Sequence, residues 1–73
     1  MATLRLESRA SGKHVTVVDG LPKNAAYLAD LLGALKKACG TGGRAGDVWL
    51  ELQGDQRHRL RDLLARRGLA VKG

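Results

Sequence analysis

The chain has 73 residues and a formal net charge of +6, because thirteen Lys and Arg face only seven Asp and Glu. This length allows one small domain, taken here as residues 1–73, whose thin core buries roughly 60% of the unfolded surface and leaves little room for a deep substrate pocket. So positive a surface favours polyanionic partners such as RNA, DNA or an anionic membrane.

Cysteine usage and hydropathy favour the cytoplasm as the compartment. Cys39 is the single cysteine, so no intramolecular disulfide can form, which fits a reducing environment. No apolar run approaches the roughly 20 residues of a membrane span, and the N-terminus lacks the apolar segment of a signal peptide. We therefore expect a cytoplasmic protein without membrane association.

The first part of the chain predicts a β-hairpin. Leu4 and Leu6 alternate with charged residues, which predicts a strand over residues 3–9 with one solvated face. Residues 10–13 (Ala-Ser-Gly-Lys) are typical of a turn, and the Val-rich residues 14–19 predict a second strand.

A helix is predicted next. Asn24 is the expected N-cap of a helix that runs to about Ala38, and Gly40 is the expected residue just after its end. The apolar positions follow the i, i+3, i+4, i+7 spacing of one buried helix face. These positions are Leu28, Leu31, Leu32 and Leu35.

Two short strands are predicted after this helix. Residues 41–44 begin the third strand, residues 45–47 form a tight turn, and residues 48–53 form the fourth strand. On the fourth strand, Trp49 and Glu51 point away from the apolar face. That apolar face consists of Val48, Leu50 and Leu52.

The C-terminal part predicts a second helix and a last strand. Asp55 is the expected cap of a helix that runs to about Arg67 and ends at Gly68. Its inward positions are Leu60, Leu63 and Leu64. Residues 69–72 then form a terminal strand.

The element order ββαββαβ predicts an α+β fold, a two-layer α/β sandwich. A single mixed sheet with both helices on one of its faces is the simplest way to bury two amphipathic helices.

The sequence offers little for catalysis or metal binding. His14 and His58 have no acidic or metal-ligand partner at a useful spacing, and Cys39 near a helix end is typical of a small packed residue. The Gly-rich residues 40–43 follow a helix, whereas a phosphate-binding loop opens one. We expect no enzyme, no catalytic residue, no metal and no cofactor.

Two basic clusters are candidates for RNA binding. The hairpin tip combines Arg9, Lys13 and His14 with the small residues Ser11 and Gly12. The second helix is rich in arginine, whose guanidinium group suits phosphate; its arginines are Arg57, Arg59, Arg61, Arg66 and Arg67. The alternative for the helix is a merely solvated face. No aromatic run accompanies the hairpin tip, so we do not expect base stacking in the manner of an RNA-recognition sheet unless Trp49 is exposed.

Four stretches resemble a known family in their order and spacing. They are Gly20-Leu21-Pro22, the run Leu-Lys-Lys-Ala-Cys-Gly-Thr-Gly-Gly at residues 35–43, Leu-Glu-Leu-Gln-Gly-Asp-Gln-Arg at residues 50–57, and Arg-Gly-Leu-Ala-Val-Lys at residues 67–72. Together they resemble the translation initiation factor 1 family, which includes YciH-type proteins of bacteria and archaea, over nearly the whole chain.

The resemblance implies a factor that binds the small ribosomal subunit near the P site and influences start-codon selection. It implies RNA contacts from the hairpin loop, and a functional Gln-Gly-Asp segment followed by a basic helix face. The RNA-binding candidates are Arg9, Ser11, Gly12, Lys13, His14, Arg57, Arg59 and Arg61. The Gln-Gly-Asp residues are Gln53, Gly54 and Asp55, of which the last two also have structural roles as a turn and a cap.

The same resemblance sets the expected partners. These are the small subunit and its RNA, with initiator tRNA and other initiation factors as further candidates, and we expect a monomer. The hairpin has fewer basic residues than many members, and the N-terminal tail usual in the family is missing, as in a trimmed or naturally short member. Two rivals stay open: a general RNA-binding module, and a basic protein-interaction domain with an apolar patch around Trp49.

Overall fold

The computed structural model describes residues 2–73. The elements are β1 (Ala2–Ser8), a 3-10 turn (Ala10–Gly12), β2 (His14–Asp19), α1 (Ala25–Cys39), β3 (Gly43–Ala45), β4 (Leu50–Gln53), α2 (Arg57–Arg66) and β5 (Val71–Lys72). The predicted order ββαββαβ is therefore confirmed. Within this part of the chain, no helix has the length and apolar character that a membrane crossing needs.

The five strands form one mixed sheet in the order β3-β4-β2-β1-β5. All neighbouring strands are antiparallel except β1 and β5, which are parallel. The long β1–β2 hairpin that the sequence predicts is thus the centre of the sheet, and β2 lies between β1 and β4. This placement brings the hairpin tip next to the end of β4, where the Gln-Gly-Asp segment begins.

Both helices cover the same face of the sheet, as predicted. Successive rows of that face are Leu4, Val18 and Leu50, then Leu6, Thr16 and Leu52. Burial of the helix leucines against these rows builds a single core. The fully buried helix residues are Leu28, Leu31, Leu35, Leu60 and Leu64, whereas the predicted Leu32 and Leu63 are only partly buried.

All three strands after the hairpin begin or end away from the predicted residues because neighbouring segments use their backbone groups, and β1 is Ala2–Ser8 instead of residues 3–9. β3 is Gly43–Ala45 instead of residues 41–44, since Thr41 still belongs to the end of α1 through a hydrogen bond from its N–H to Lys36. β4 begins at Leu50, because the Val48 carbonyl accepts a hydrogen bond from Leu21. Trp49 then closes the turn by accepting one from Gly46.

β5 is shorter than predicted for a similar reason. The N–H of Leu69 donates to the carbonyl of Leu64, and Gly68, with a φ of 77°, donates to Ala65. This is the double hydrogen bond of a Schellman helix end, which ties up Leu69 before it can join the sheet. The strand therefore begins at Val71.

The ends of α1 agree with the sequence, but the start of α2 does not. The Asn24 side chain accepts from the N–H of Tyr27 at 3.0 Å, and Gly40 adopts a left-handed φ of 64°. In α2 the N-cap position is Gln56, and the predicted cap Asp55 lies one residue before it. Its carboxylate accepts from the N–H of Arg57 at 3.3 Å.

A buried threonine holds the turn that precedes α2. Thr16 lies fully buried in the middle of β2, on the face that the helices cover. Its hydroxyl donates to the carbonyl of Gly54 at 2.7 Å and accepts from the N–H of Gln56 at 2.8 Å. One side chain in the central strand therefore fixes the turn after β4 and the first N–H of α2.

We expect Thr16→Val to lower the free energy of unfolding by about 1–3 kcal/mol, because the isosteric side chain leaves two part-buried backbone groups without the hydroxyl as partner. Urea denaturation measures this loss, and Thr16→Ser, which keeps the hydroxyl, is the matched control. A valine variant as stable as the wild type, or a serine variant equally damaged, would show that the hydroxyl contributes little.

Gly43 is required by a close approach of β3 to β4. A Cβ atom on Gly43 would lie 2.4 Å from the Glu51 carbonyl oxygen and 2.6 Å from Cδ2 of Leu52. Gly33, in the exposed middle of α1, has no atom within 4 Å of the same position.

We expect opposite effects from the same substitution at these two glycines. Gly43→Ala forces β3 away from β4 and destabilises the fold by about 1–3 kcal/mol. Gly33→Ala stabilises it by roughly 0.5–1 kcal/mol, since alanine is the better helix former. Thermal and urea unfolding of both variants measure these shifts, and equal effects at both positions would contradict the steric explanation.

Candidate nucleic-acid interface

The hairpin tip and the Gln-Gly-Asp segment meet at one end of the sheet. The N–H of Gly54 donates to the carbonyl of His14 at 2.8 Å, and the N–H of Arg9 donates to the carbonyl of Lys13 at 2.6 Å. The first bond joins the hairpin to the turn after β4, and the second closes the hairpin loop. The structure thus brings together two groups of candidates that lie 40 residues apart in the sequence.

The loop itself has an unusual backbone. Ser11 has a φ of 64° and Gly12 one of 71°, so two successive residues are left-handed. For a serine this conformation costs roughly 1–2 kcal/mol. Ser11, Gly12 and Lys13 are exposed, and their backbone is free of a covering element at the tip. Strain retained at an exposed basic loop is a common feature of functional sites.

The arginine candidates of α2 separate into two groups. Arg57 forms a two-point ion pair with Asp55, at 2.9 Å from Nε and from Nη2. Arg61 hydrogen-bonds the backbone carbonyl of Gly73. Both line one groove between α2 and β1, together with Asp55.

Arg59 lies on the other side of α2. Its guanidinium donates to the Ala38 carbonyl at 3.2 Å, at the C-terminal end of α1, where a cation stabilises the helix dipole. The three predicted α2 candidates therefore do not share one surface. Arg57 is the one beside the Gln-Gly-Asp segment, and Arg59 has a structural partner in α1.

Arg9 does not extend from the hairpin tip into solvent. Its guanidinium lies 2.5 Å from Glu7 and 3.6 Å from Glu51, on the sheet face opposite the helices. The Arg9 hydrogen bond, with a second from Arg5, holds the pKa of Glu7 below its usual range. The bond to Glu7 raises the pKa of Arg9 in turn. Arg9 is thus fixed across β2 between β1 and β4.

Glu51 is the centre of this network and was missed by the sequence reasoning. Its side chain is only 9% exposed and also receives a hydrogen bond at 3.0 Å from Arg44. Arg44 covers the Trp49 ring, with 5.8 Å between its guanidinium carbon and the ring centroid. Trp49 and Glu51 do point away from the helices, as predicted. The signal for the network was the alternation of charged residues with leucines in β1 and β4.

This ion network is formally neutral. It contains three bases, Arg5, Arg9 and Arg44, and three acids, Glu7, Asp19 and Glu51. The chain's positive charge is therefore carried by other residues, chiefly Lys13 at the hairpin tip, Lys36 and Lys37 in α1, and Arg59 and Arg61 in α2, since Arg57 and Arg66 pair with Asp55 and Asp62. A polyanion is attracted to the hairpin tip and the helical layer more than to the centre of the sheet.

The remaining reactive side chains are dispersed. Burial raises the pKa of the Cys39 thiol, and the nearby charge of Arg59 opposes that shift in part. His14 lies at the hairpin and His58 in α2. Among residues 2–73, no three His, Cys, Asp or Glu side chains come close enough to hold a metal ion.

Comparison with known proteins connects this geometry with a family. Residues 1–70 match the family described as translation initiation factor SUI1. The chain belongs to the translation initiation factor SUI1 family. The resemblance to YciH-type initiation factors deduced from the four sequence stretches is thereby confirmed.

Individual relatives of the SUI1 family agree. The chain is 40% identical over 65 residues to the protein translation factor SUI1 homolog of Aeropyrum pernix, covering 89% of this chain and 64% of the relative. It is 41% identical over 68 residues to YciH of Escherichia coli K12, covering 93% of this chain and 63% of the relative. The chain thus spans a little under two thirds of the length of these relatives.

The Asp55–Arg57 pair at the start of α2 makes the site sensitive to acid. The Arg57 guanidinium, and then its backbone N–H, hold the pKa of Asp55 below the ordinary value. A carboxyl whose pKa is lower in the folded chain stabilises the fold above its unfolded pKa. This contribution is lost as the pH falls through the folded pKa.

We expect Asp55→Asn to lower the free energy of unfolding at pH 7, and the difference from wild type to shrink as the pH falls through the folded pKa of Asp55. Urea titrations across that pH range measure this convergence. Asp47→Asn is the matched control, because Asp47 forms no ion pair within residues 2–73. Parallel curves for Asp55→Asn and wild type would contradict the role of the pair.

Proposed function

We propose that this chain acts as a non-catalytic factor that binds small-subunit ribosomal RNA near the P site and influences start-codon selection. It acts as a single domain over residues 1–73. The contact surface is the hairpin end: Ser11, Gly12, Lys13 and His14 of the tip, together with Gln53, Gly54 and Arg57.

The observation that carries this proposal is the junction between His14 and Gly54. It joins the basic loop to the segment that opens α2, so that one end of the sheet carries Lys13 and His14 beside the Gln-Gly-Asp turn. A surface built from two segments far apart in sequence depends on the fold, and it supplies the shape that selection of one RNA site requires.

Charge distribution supports the same orientation. Lys13 is exposed at the tip, and the field of the α2 arginines lies behind it. Most of the affinity of such a surface for RNA comes from displaced counterions, so binding weakens steeply as salt rises. The hairpin end would then occupy the decoding region until correct codon pairing displaces it.

The rival protein-interaction reading required an apolar patch around Trp49. The ring is only partly exposed, packs against Gly46 and lies under Arg44, which leaves little apolar surface there. The other rival, a general RNA-binding module, would use the same charged residues. It differs from the proposed factor only in binding all structured RNAs equally.

We expect saturable co-sedimentation with purified small ribosomal subunits, and much weaker binding to large subunits and unrelated structured RNA. Lys13→Glu should weaken small-subunit binding and reduce its salt dependence, because a phosphate contact is lost. Lys23→Glu, with the same change of charge beyond the opposite end of β2, is the matched control.

Three outcomes contradict parts of this proposal. Equal binding to every RNA would favour a general RNA-binding module. An equal loss of small-subunit binding from Lys13→Glu and Lys23→Glu would show that the hairpin makes no specific contact and only adds to the overall positive charge. No binding to small subunits even at low salt would overturn the ribosomal role itself.

A further inference from the structure

A groove of about 320 Å³ lies beside the hairpin tip, on the sheet face that the helices leave open. It is lined by Arg9, Lys13, His14, Val15, Gln53 and Gly54. Val15 is almost fully buried and Gly54 has no side chain, so the groove has an apolar part that a flat ring can contact. The exposed Gln53 amide supplies both a donor and an acceptor.

Arg9 has a special position in this groove. Glu7 and Glu51 neutralise its charge and hold its guanidinium in place from two sides. A guanidinium that is already paired with carboxylates gains little from a phosphate, but its planar surface stays available for stacking. Arginine planes are one of the supports on which unpaired RNA bases stack. Lys13 is exposed and is the cation better placed for a phosphate.

We propose that this groove binds one unpaired RNA base, which stacks on the Arg9 guanidinium while Gln53 contacts its edge and Lys13 contacts the adjoining phosphate. This inference rests on the proposed function and sharpens it: Arg9 recognises an extruded base, where the sequence had suggested a phosphate contact. A paired base cannot enter, so the groove gives preference for loops and bulges over regular helices.

The test is Arg9→Lys, which keeps the charge but removes the plane. We expect the affinity for purified small subunits to fall about tenfold, within the range for loss of one stacked base. The slope of log affinity against log salt should not change. Lys13→Ala, in contrast, should change the salt dependence of binding: the magnitude of that slope should fall by roughly 0.7–0.9.

Arg5→Lys is the matched control, because Arg5 belongs to the same ion network through Glu7 and Asp19 but does not line the groove. We expect it to bind like the wild type. Equal losses from Arg5→Lys and Arg9→Lys would assign the effect to the network and overturn the stacking role.

Chemical probing gives a second readout, whose first step needs only the wild-type protein. With wild-type protein bound, dimethyl sulfate should leave at least one normally reactive unpaired base of the small-subunit RNA unmodified. Arg9→Lys should restore its reactivity. Small-subunit binding without any protected base, or with Arg9→Lys equal to wild type, would overturn this inference and leave the proposed function standing. Absence of small-subunit binding by the wild type would overturn both.

Discussion

The geometry of the hairpin end depends on the two hydrogen bonds of the Thr16 hydroxyl. This hydroxyl connects the central strand with the carbonyl of Gly54 and the N–H of Gln56, so the turn after β4 and the start of α2 hold one position relative to the hairpin. The bond between Gly54 and His14 then fixes the base of the loop. Because the core is thin, this buried polar contact fixes the relative positions of the turn, α2 and the hairpin, which a larger domain can fix by packing alone.

The ion network on the open sheet face solves a related problem. Val15 and Val17 lie almost fully buried on a face that no helix covers. The long side chains of Arg5 and Arg9 lie on this face, and their charged ends pair with carboxylates of neighbouring strands. The same arrangement neutralises this face and leaves the positive charge on the hairpin tip and the helical layer. The ion network therefore both covers part of the open sheet face and confines the net positive charge to other parts of the molecule.

The order of the elements could be predicted because it depends on local periodicity: alternation in β1 and β2, and the spacing of Leu28, Leu31 and Leu35 in α1. Strand ends could not, because they depend on which distant backbone group needs a partner, as with Val48 and Leu21. The hairpin tip was found as a candidate from its charge alone. What the sequence could not show was pairing: that Glu51 immobilises Arg9 and that Arg59 caps α1.

These pairings separate two properties that a count of basic residues merges. The unpaired cations of the hairpin tip and the helices attract any polyanion. They set the rate and the affinity of its binding, and both depend on salt. The paired Arg9, the buried Val15 and the Gly54 turn add no charge, yet they define the shape of the groove at the tip. In the proposed function, discrimination between RNAs therefore depends on residues whose charge is already neutralised, and these are anchored through Gly54 and Thr16 to the core. We accordingly expect a change at the Gln-Gly-Asp turn to act through the fold as well as through any direct contact.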